Sequence, residues 1–386
     1  MTLPYRRILV TGASGFIGSR LCEHLILAHD ATVRGTYHSA ARAARVARLG
    51  IELVQLDLAD PATIEAAVDG CDAVVHCAYG LEGGARTRRE LTGAATGRVA
   101  EAARRLGARR FVHLSSVAVW GFDAGPGEID EAAPTRRSGH PYSDGKIDAE
   151  ETVAQAGARG LPTVVLRPAN VYGPWSALWT VAPVRALRAG APVLVGEGAT
   201  PAGTVYVDNL VSAIVLALSA EGAVGRTFVV VDEDDISWRA LYEAYAALWT
   251  PPLPVHSLSL DEWRRRTKRK ASVGAVLRDV RSLLRSPEAA ALVRVAAERP
   301  ALRRVAGRML RFAPSRREQL RGAITPARIP GEAPAEALPA PELAAVQTSG
   351  AVYRAHGLRS LGWAPPVESE RALALTAEWL RFAREL

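Results

Sequence analysis

Ile8-Leu9-Val10-Thr11-Gly12-Ala13-Ser14-Gly15-Phe16-Ile17-Gly18 is the stretch on which the reading of this chain turns. Three apolar residues form a short buried strand, and a glycine-rich turn follows it directly. Ile17, Leu21, Leu25 and Ala28 then recur at helical spacing. In a strand–turn–helix unit of this kind each glycine has a task. Gly12 permits the tight turn, Gly15 lets the backbone approach a pyrophosphate, and Gly18 allows close packing of helix on sheet. Ser14, Phe16 and Ile17 complete the turn and open the helix, whose N-terminal N–H groups and positive dipole end suit phosphate. The glycines are spaced by three and three rather than two and three, and a glycine turn alone also serves as an ordinary strand–helix connection.

Outward from this unit, strands and helices alternate. Thr32–Tyr37, Glu52–Gln55, Ala73–Cys77 and Phe111–Leu114 read as strands, with helices over Ala40–Leu49, Pro61–Val68 and Thr87–Leu106 between them. A helix over Tyr142–Gln155, a strand over Thr163–Leu166, a loop over Asn170–Trp175, and strands Val205–Val207 and Phe228–Val231 around the helix Asn209–Ser219 continue the series. The pattern predicts an α/β fold, a Rossmann-type doubly wound parallel sheet with a smaller, mainly helical C-terminal substrate domain. Residues 1–172 and 205–231 fall to the dinucleotide-binding part, and 173–204 with 232–386 to the substrate part. The 386 residues suffice for both, and 48% hydrophobic with 23% charged residues excludes wholesale disorder, collagen and coiled coil.

The net charge of +8 is unevenly placed. Residues 263–330 hold nineteen arginines and lysines against four acids, a local +15, which leaves −7 on the remainder. Within this basic insertion Val273, Val276, Leu277, Val280 and Leu284 form an apolar stripe, and short helices run on to about residue 322. Five prolines between 326 and 341 mark a linker, and Arg371–Leu386 closes the chain as an amphipathic helix. The insertion reads as a lid over the substrate cleft, its arginines solvated or facing substrate phosphates, or as a surface for peripheral contact with an anionic membrane. No motif or interleaved aromatics point to nucleic acid. Cys22, Cys71 and Cys77, an odd number without metal-ligand spacing, read as reduced thiols in a cytoplasmic protein that binds no metal. No secretory leader is read at Met1–Arg7, and the longest strongly apolar run, Leu210–Ala220, is too short to span a bilayer.

Enzymes that select NAD carry Asp or Glu at the end of the second strand to hold the ribose 2′-hydroxyl. Here that place reads Arg34-Gly35-Thr36-Tyr37-His38-Ser39, with Arg42 a turn later. The expectation is therefore NADP, its 2′-phosphate near His38, Arg42 and Arg34, with NAD as the alternative if these cations are merely solvated. Tyr142 and Lys146 stand four apart on one helix face, where an ammonium beside an oxidised nicotinamide draws a phenol toward neutrality and makes Tyr142 a proton donor and acceptor. Ser116, just beyond the fifth strand, can orient a substrate oxygen, or simply cap a turn.

These blocks, together with Val75–Ala78, His113–Ser116, Val119–Gly121, Leu166–Pro174, Tyr206–Asn209 and the tail at Leu361-Gly362-Trp363, resemble the extended short-chain dehydrogenase/reductase family of the NAD-dependent epimerase/dehydratase type. The resemblance runs in order through residues 5–250. It implies a Ser116, Tyr142, Lys146 catalytic triad, with Lys146 also on the nicotinamide ribose. It places Asp57 and Leu58 by the adenine, sets Cys77, Ala78, Tyr79 and Pro168 along the cofactor, and puts Asn170 on the substrate or its phosphate. It further implies a small-molecule substrate and a homodimer built on Arg86–Leu106 and Ser143–Gln155.

Departures from the family narrow the chemistry. Val117 and Ala118 replace the Asp-Glu pair that 4,6-dehydratases carry for loss of water. Pro201-Ala202-Gly203-Thr204 lacks the Arg that nucleotide-sugar epimerases often place before Tyr206. Three functions remain: an epimerase or ketoreductase of a sugar nucleotide, ranked first on family frequency; an NADPH-dependent reductase or dehydrogenase of a non-sugar carbonyl or sterol-like alcohol; and a non-catalytic cofactor-binding regulator, which the intact triad disfavours.

Overall fold

The computed structural model describes residues 3–80, 85–232, 234–268 and 337–386. The chain divides into two compact units, residues 1–257 with 333–386, and residues 258–332. The first unit is built on strands β1 (Ile8–Thr11), β2 (Val33–Tyr37), β3 (Glu52–Gln55), β4 (Ala73–His76), β5 (Arg110–Leu114), β6 (Gly127–Ile129), β7 (Thr163–Pro168), β8 (Asn170–Tyr172), β9 (Leu194–Val195), β10 (Thr204–Tyr206) and β11 (Thr227–Val230). Seven of these form one parallel sheet in the order β11-β7-β5-β4-β1-β2-β3. The order reverses between β1 and β4, and a ligand crevice opens at the carboxyl ends there.

Helices cover both faces. On one lie α1 (Phe16–His29), α2 (Ala40–Ala47) and α7 (Val207–Ser219); on the other α3 (Pro61–Val68), α4 (Ala85–Arg105) and α5 (Pro141–Ala158). Because both faces are buried, the central strands β1 and β4 carry the apolar runs Ile8–Val10 and Ala73–Val75 rather than an alternation. Ile8 and Val10 face Leu21, Leu25, Leu210 and Ile214, whereas Leu9, Val74 and Phe111 face Ile64, Val99 and Val153. Asp60 caps α3 by accepting from the Ala62 N–H, with Pro61 at its first turn.

A separate apolar cluster organises the C-terminal part of this unit. Helices α6 (Ala182–Arg188) and α8 (Trp238–Ala246) pack Val184, Leu187, Trp238, Tyr242 and Tyr245 with Leu380 of the helix Ser369–Phe382. The tail is tied back through Asn209, whose amide donates to the Val367 carbonyl (2.9 Å) and to Asp232 (2.8 Å).

The alternation and element types expected for the first 230 residues are present, with boundaries shifted by a few residues. The exception is Asn170–Trp175: its first three residues are a strand, β8, paired in parallel with β10. Three residues offer too short a pattern for local reading, and only the pairing makes the strand. Strands β6, β9 and Ala351–Tyr353 and helices α6, α8 and Pro341–Ser349 were not anticipated; in the last, a proline assigned to the linker sits at the helix start, where its missing N–H costs nothing. The helices expected from Val273 onward, and most of the basic insertion, lie outside the described residues. Among the described residues no helix is long and apolar enough to cross a membrane.

α4 and α5 cross closely because α4 presents glycine. A Cβ on Gly93 would stand 2.6 Å from the Asp148 Cβ, and one on Gly97 2.9 Å from the Thr152 Cβ. Gly93→Val should therefore force the helices apart and cost about 1–3 kcal/mol of stability despite glycine's poor helix propensity. Chemical denaturation of variant against wild type reads this directly.

Candidate active site

The crevice at the switch point is a cavity of about 320 Å³ lined by the turn after β1, the end of β2, residues 56–58 after β3, and residues 77–80 after β4. Gly12 has φ +69°, and a Cβ there would come within 3.0 Å of the Ala78 nitrogen. The Gly15 N–H closes the turn on the Gly12 carbonyl (2.9 Å), and α1 begins without a side-chain cap. Its first N–H groups are thus available to an anionic ligand. At Gly18 a Cβ would lie 2.3 Å from the Gly12 oxygen, so α1 can run this close to the sheet only with glycine there. These features fit a dinucleotide: the cradle is bare backbone, and any side chain at Gly12 would obstruct it.

Of the residues assigned to a cofactor, Gly12, Ser14, Gly15, His38, Asp57, Leu58, Cys77, Ala78 and Tyr79 all line this cavity. The side chains of Phe16 and Ile17, and the missing one of Gly18, serve the packing of α1, while the backbone N–H groups of all three open the helix toward the cavity. Thr36, Tyr37, Leu56, Gly80 and Leu91 line the cavity as well and were missed. Thr36 was findable, because strand alternation points it away from Gly35, and it accepts the Gly12 N–H at 3.0 Å. Leu91 comes from α4 and could be placed only by the fold.

Arg34 is not where the sequence put it. Its guanidinium turns under α3, donating to the carbonyls of Ala67 (3.0 Å) and Asp69 (2.6 Å) and pairing with Glu52 at 2.8 Å. It anchors α3 to the sheet edge and does not reach the cavity. Arg42 lies on α2, and of its side chain nothing is described.

Below the cavity a buried polar chain fixes the turn. The Thr11 hydroxyl accepts from the Ala78 N–H (3.2 Å) and meets His76 Nδ1 (2.8 Å), while His76 Nε2 meets the Thr96 hydroxyl (3.0 Å), which donates to the Thr92 carbonyl (2.6 Å). Thr11 must then donate to Nδ1 and His76 to Thr96, which assigns a neutral Nε2–H imidazole. Full burial, and next the nearby Lys146 charge, agree by pulling His76 down to about 3.

Ser116, Tyr142 and Lys146 meet beside Tyr79. Ser116 accepts the Ala118 N–H (3.1 Å) as the cap of a 3₁₀ turn, Val117–Trp120, and its hydroxyl stands near enough to the Tyr142 hydroxyl to favour the phenolate. The Tyr142 ring stands edge-on to Tyr79, 5.8 Å between centroids, and Lys146 Nζ lies 5.5 Å over the Tyr79 ring. Nζ donates to the Leu114 carbonyl (2.6 Å). The expected drift of Tyr142 toward neutrality is not produced by the chain's own groups. Burial pushes its phenol up to about 12, with Ser116 lowering and Tyr79 raising it. Burial likewise brings Lys146 down to about 8, against the opposing influence of Cys77 and Glu150. Asn170 donates to the Ala202 carbonyl (2.7 Å), and Pro168 ends β7.

The comparisons agree with this architecture. The model of the NAD dependent epimerase/dehydratase family matches residues 8–230, and the chain belongs to that family. It is 30% identical to the 2-alkyl-3-oxoalkanoate reductase of Stenotrophomonas maltophilia, over 64% of this chain and 76% of that protein. It is 31% identical to a 3 beta-hydroxysteroid dehydrogenase/Delta 5-->4-isomerase of Mycobacterium tuberculosis (64% and 72%) and 28% identical to the UDP-glucose 4-epimerase of Vibrio cholerae (65% and 79%). Among solved structures, the Thermotoga maritima UDP-glucose 4-epimerase has the same fold, with TM-score 0.66 and 18% identity over 98% of this chain and 99% of that one. The Bacillus cereus UDP-glucuronic acid 4-epimerase bound to UDP-glucuronic acid and NAD gives 0.58 and 21% over 66% and 86%.

The lysine has a consequence for stability. Its folded value of about 8 lies below the free value of about 10.4, so between those limits the unfolded chain holds the extra proton and stability rises with pH. Relative to Lys146→Met, the wild type should gain about 3 kcal/mol between about pH 8 and pH 10.5. Denaturation midpoints of the two proteins across that range test it.

Proposed function

We propose that the chain is an NAD(P)-dependent oxidoreductase that interconverts a ketone and a secondary alcohol on a substrate without a nucleotide diphosphate, of the 3-oxo acid or 3-hydroxysteroid kind. One observation carries this reading: the arginines of residues 173–257 are already engaged. Arg185 forks onto Glu385 (2.7 and 2.6 Å), Arg188 donates to the Glu385 carbonyl (3.2 Å), and Arg239 donates to the Glu197 carbonyl (2.8 Å). Ahead of Tyr206, where a diphosphate-gripping arginine would stand, are buried Ala202 and half-buried Gly203. The two relatives at 30 and 31% identity, a keto-acid reductase and a steroid dehydrogenase, support the same class. This reverses the order expected from family frequency. The sugar-nucleotide epimerase is the second reading, favoured by the Vibrio cholerae relative.

NAD(P), when bound, supplies or accepts the hydride. The turn 12–15, Asp57, Leu58 and residues 77–79 would hold it. The chain's own task is to place the substrate oxygen and move its proton. Ser116 orients that oxygen, and Tyr142, protonated at neutral pH, donates its hydroxyl proton as negative charge develops on a reduced carbonyl. Lys146 then faces the resulting phenolate with its ammonium, held by the Leu114 carbonyl.

Absorbance of NADPH should fall stoichiometrically with a 2-alkyl-3-oxo acid or a 3-ketosteroid. Tyr142→Phe should lose at least about 100-fold in kcat with dinucleotide affinity unchanged. Conversion of UDP-glucose to UDP-galactose with no net change in absorbance would overturn the reading in favour of the second.

With no acid among Tyr37, His38 and Ser39, NADPH is the preferred dinucleotide in this reading. His38→Asp should move preference to NADH, measured by fluorescence titration; tighter NADH binding by the wild type would refute it.

A further inference from the structure

Helix α5 does more than carry Tyr142 and Lys146. At 100° per residue, Tyr142, Ser143, Lys146 and Glu150 fall within one 100° sector. That sector faces the segment 114–118, and each of the four makes a contact there. Lys146 Nζ donates to the Leu114 carbonyl (2.6 Å), Glu150 accepts from the Ser115 hydroxyl, Tyr142 meets Ser116, and Ser143 donates to the Ala118 carbonyl (2.5 Å). Glu150 is itself immobilised. Arg167, near the end of β7, donates to it from Nε (3.0 Å) and Nη2 (2.7 Å) and lies over the Trp120 ring at 4.8 Å. The side chains of the pair are only 8% and 12% exposed.

A buried ion pair is a poor device for stability alone, since apolar residues of similar volume often do as well or better. Its geometry here serves another purpose. Ser115 is fixed at its nitrogen by the Leu166 carbonyl (2.7 Å) and at its side chain by Glu150, so Ser116 is one peptide bond from a rigid anchor.

We propose that Glu150, held by Arg167, is a positioning residue that acts through Ser115 to aim the Ser116 hydroxyl at the substrate oxygen beside Tyr142. This rests on the ketone–alcohol reading of the site. It predicts a loss in turnover rather than in binding, because a misaimed orienting group raises the barrier without removing the dinucleotide cradle.

The test is a double-mutant cycle on the full chain. Glu150→Gln should lower kcat about 10- to 100-fold with KM changed less than about 3-fold, and Ser115→Ala should lower it about 5- to 20-fold. If Glu150 acts through Ser115, the double variant is no worse than Glu150→Gln. Losses that multiply, or an unchanged kcat in Ser115→Ala, overturn the proposal. Ser115→Ala leaves the ion pair in place and decides the matter alone if Glu150→Gln does not fold. Amide exchange over residues 115–119 needs no substrate: it should quicken in the folded Glu150→Gln variant and in Ser115→Ala, and unaltered exchange in either refutes positioning. A wild type inert toward every alcohol and ketone, with exchange altered as expected, sinks the reaction assigned to the site and leaves the anchor standing.

Discussion

The approach of α1 to the Gly12 carbonyl is the constraint on which the rest of the molecule depends. Helix and strand come so near that a methyl group at Gly18 would lie 2.3 Å from that oxygen, and one at Gly12 would meet Ala78 across the switch point. Two absent side chains therefore set the position of α1 on the sheet, the width of the crevice, and the direction of the helix N–H groups into it. The buried Thr11–His76–Thr96 chain then holds the crevice floor from the α4 side. With the floor fixed, the residues after β2, β3 and β4 become walls of one cavity although they are far apart in sequence.

The cluster of Ser116, Tyr142 and Lys146 depends on a second constraint of the same kind, one helix face reading one short segment. Four polar residues in a 100° sector of α5 meet four residues of the segment 114–118 at the end of β5, so serine, tyrosine and lysine are placed relative to one another by a single rigid contact. The burial that rigidity requires has an electrostatic cost, visible in a phenol raised to about 12 and an ammonium lowered to about 8. Both shifts favour the neutral forms, a state suited to proton donation by Tyr142.

Charge tells the substrate side of the story. A chain with a net +8 invites a search for anionic ligands, yet in the described C-terminal part Arg185, Arg188, Arg239 and Arg354 close on acids and carbonyls of the same chain. Arg34 shows the same behaviour beneath α3. Among 45 arginines the residue type alone says little about ligands, because a guanidinium satisfies buried carbonyls as readily as phosphates.

The sequence by itself determined the element alternation, the glycine cradle, and the pairing of Tyr142 with Lys146. Each of these is local: a three-residue glycine spacing or an i, i+4 pair carries its geometry within one turn of chain. It did not reach β8, whose three residues are a strand only because β10 lies beside them, nor Leu91 in the cavity wall, nor the Glu150–Arg167 anchor. It also sent Arg34 to the wrong face of the crevice. Those outcomes were decided by the tertiary structure, because pairing, burial and desolvation depend on which distant residues arrive to exclude water, and no spacing along the chain records that.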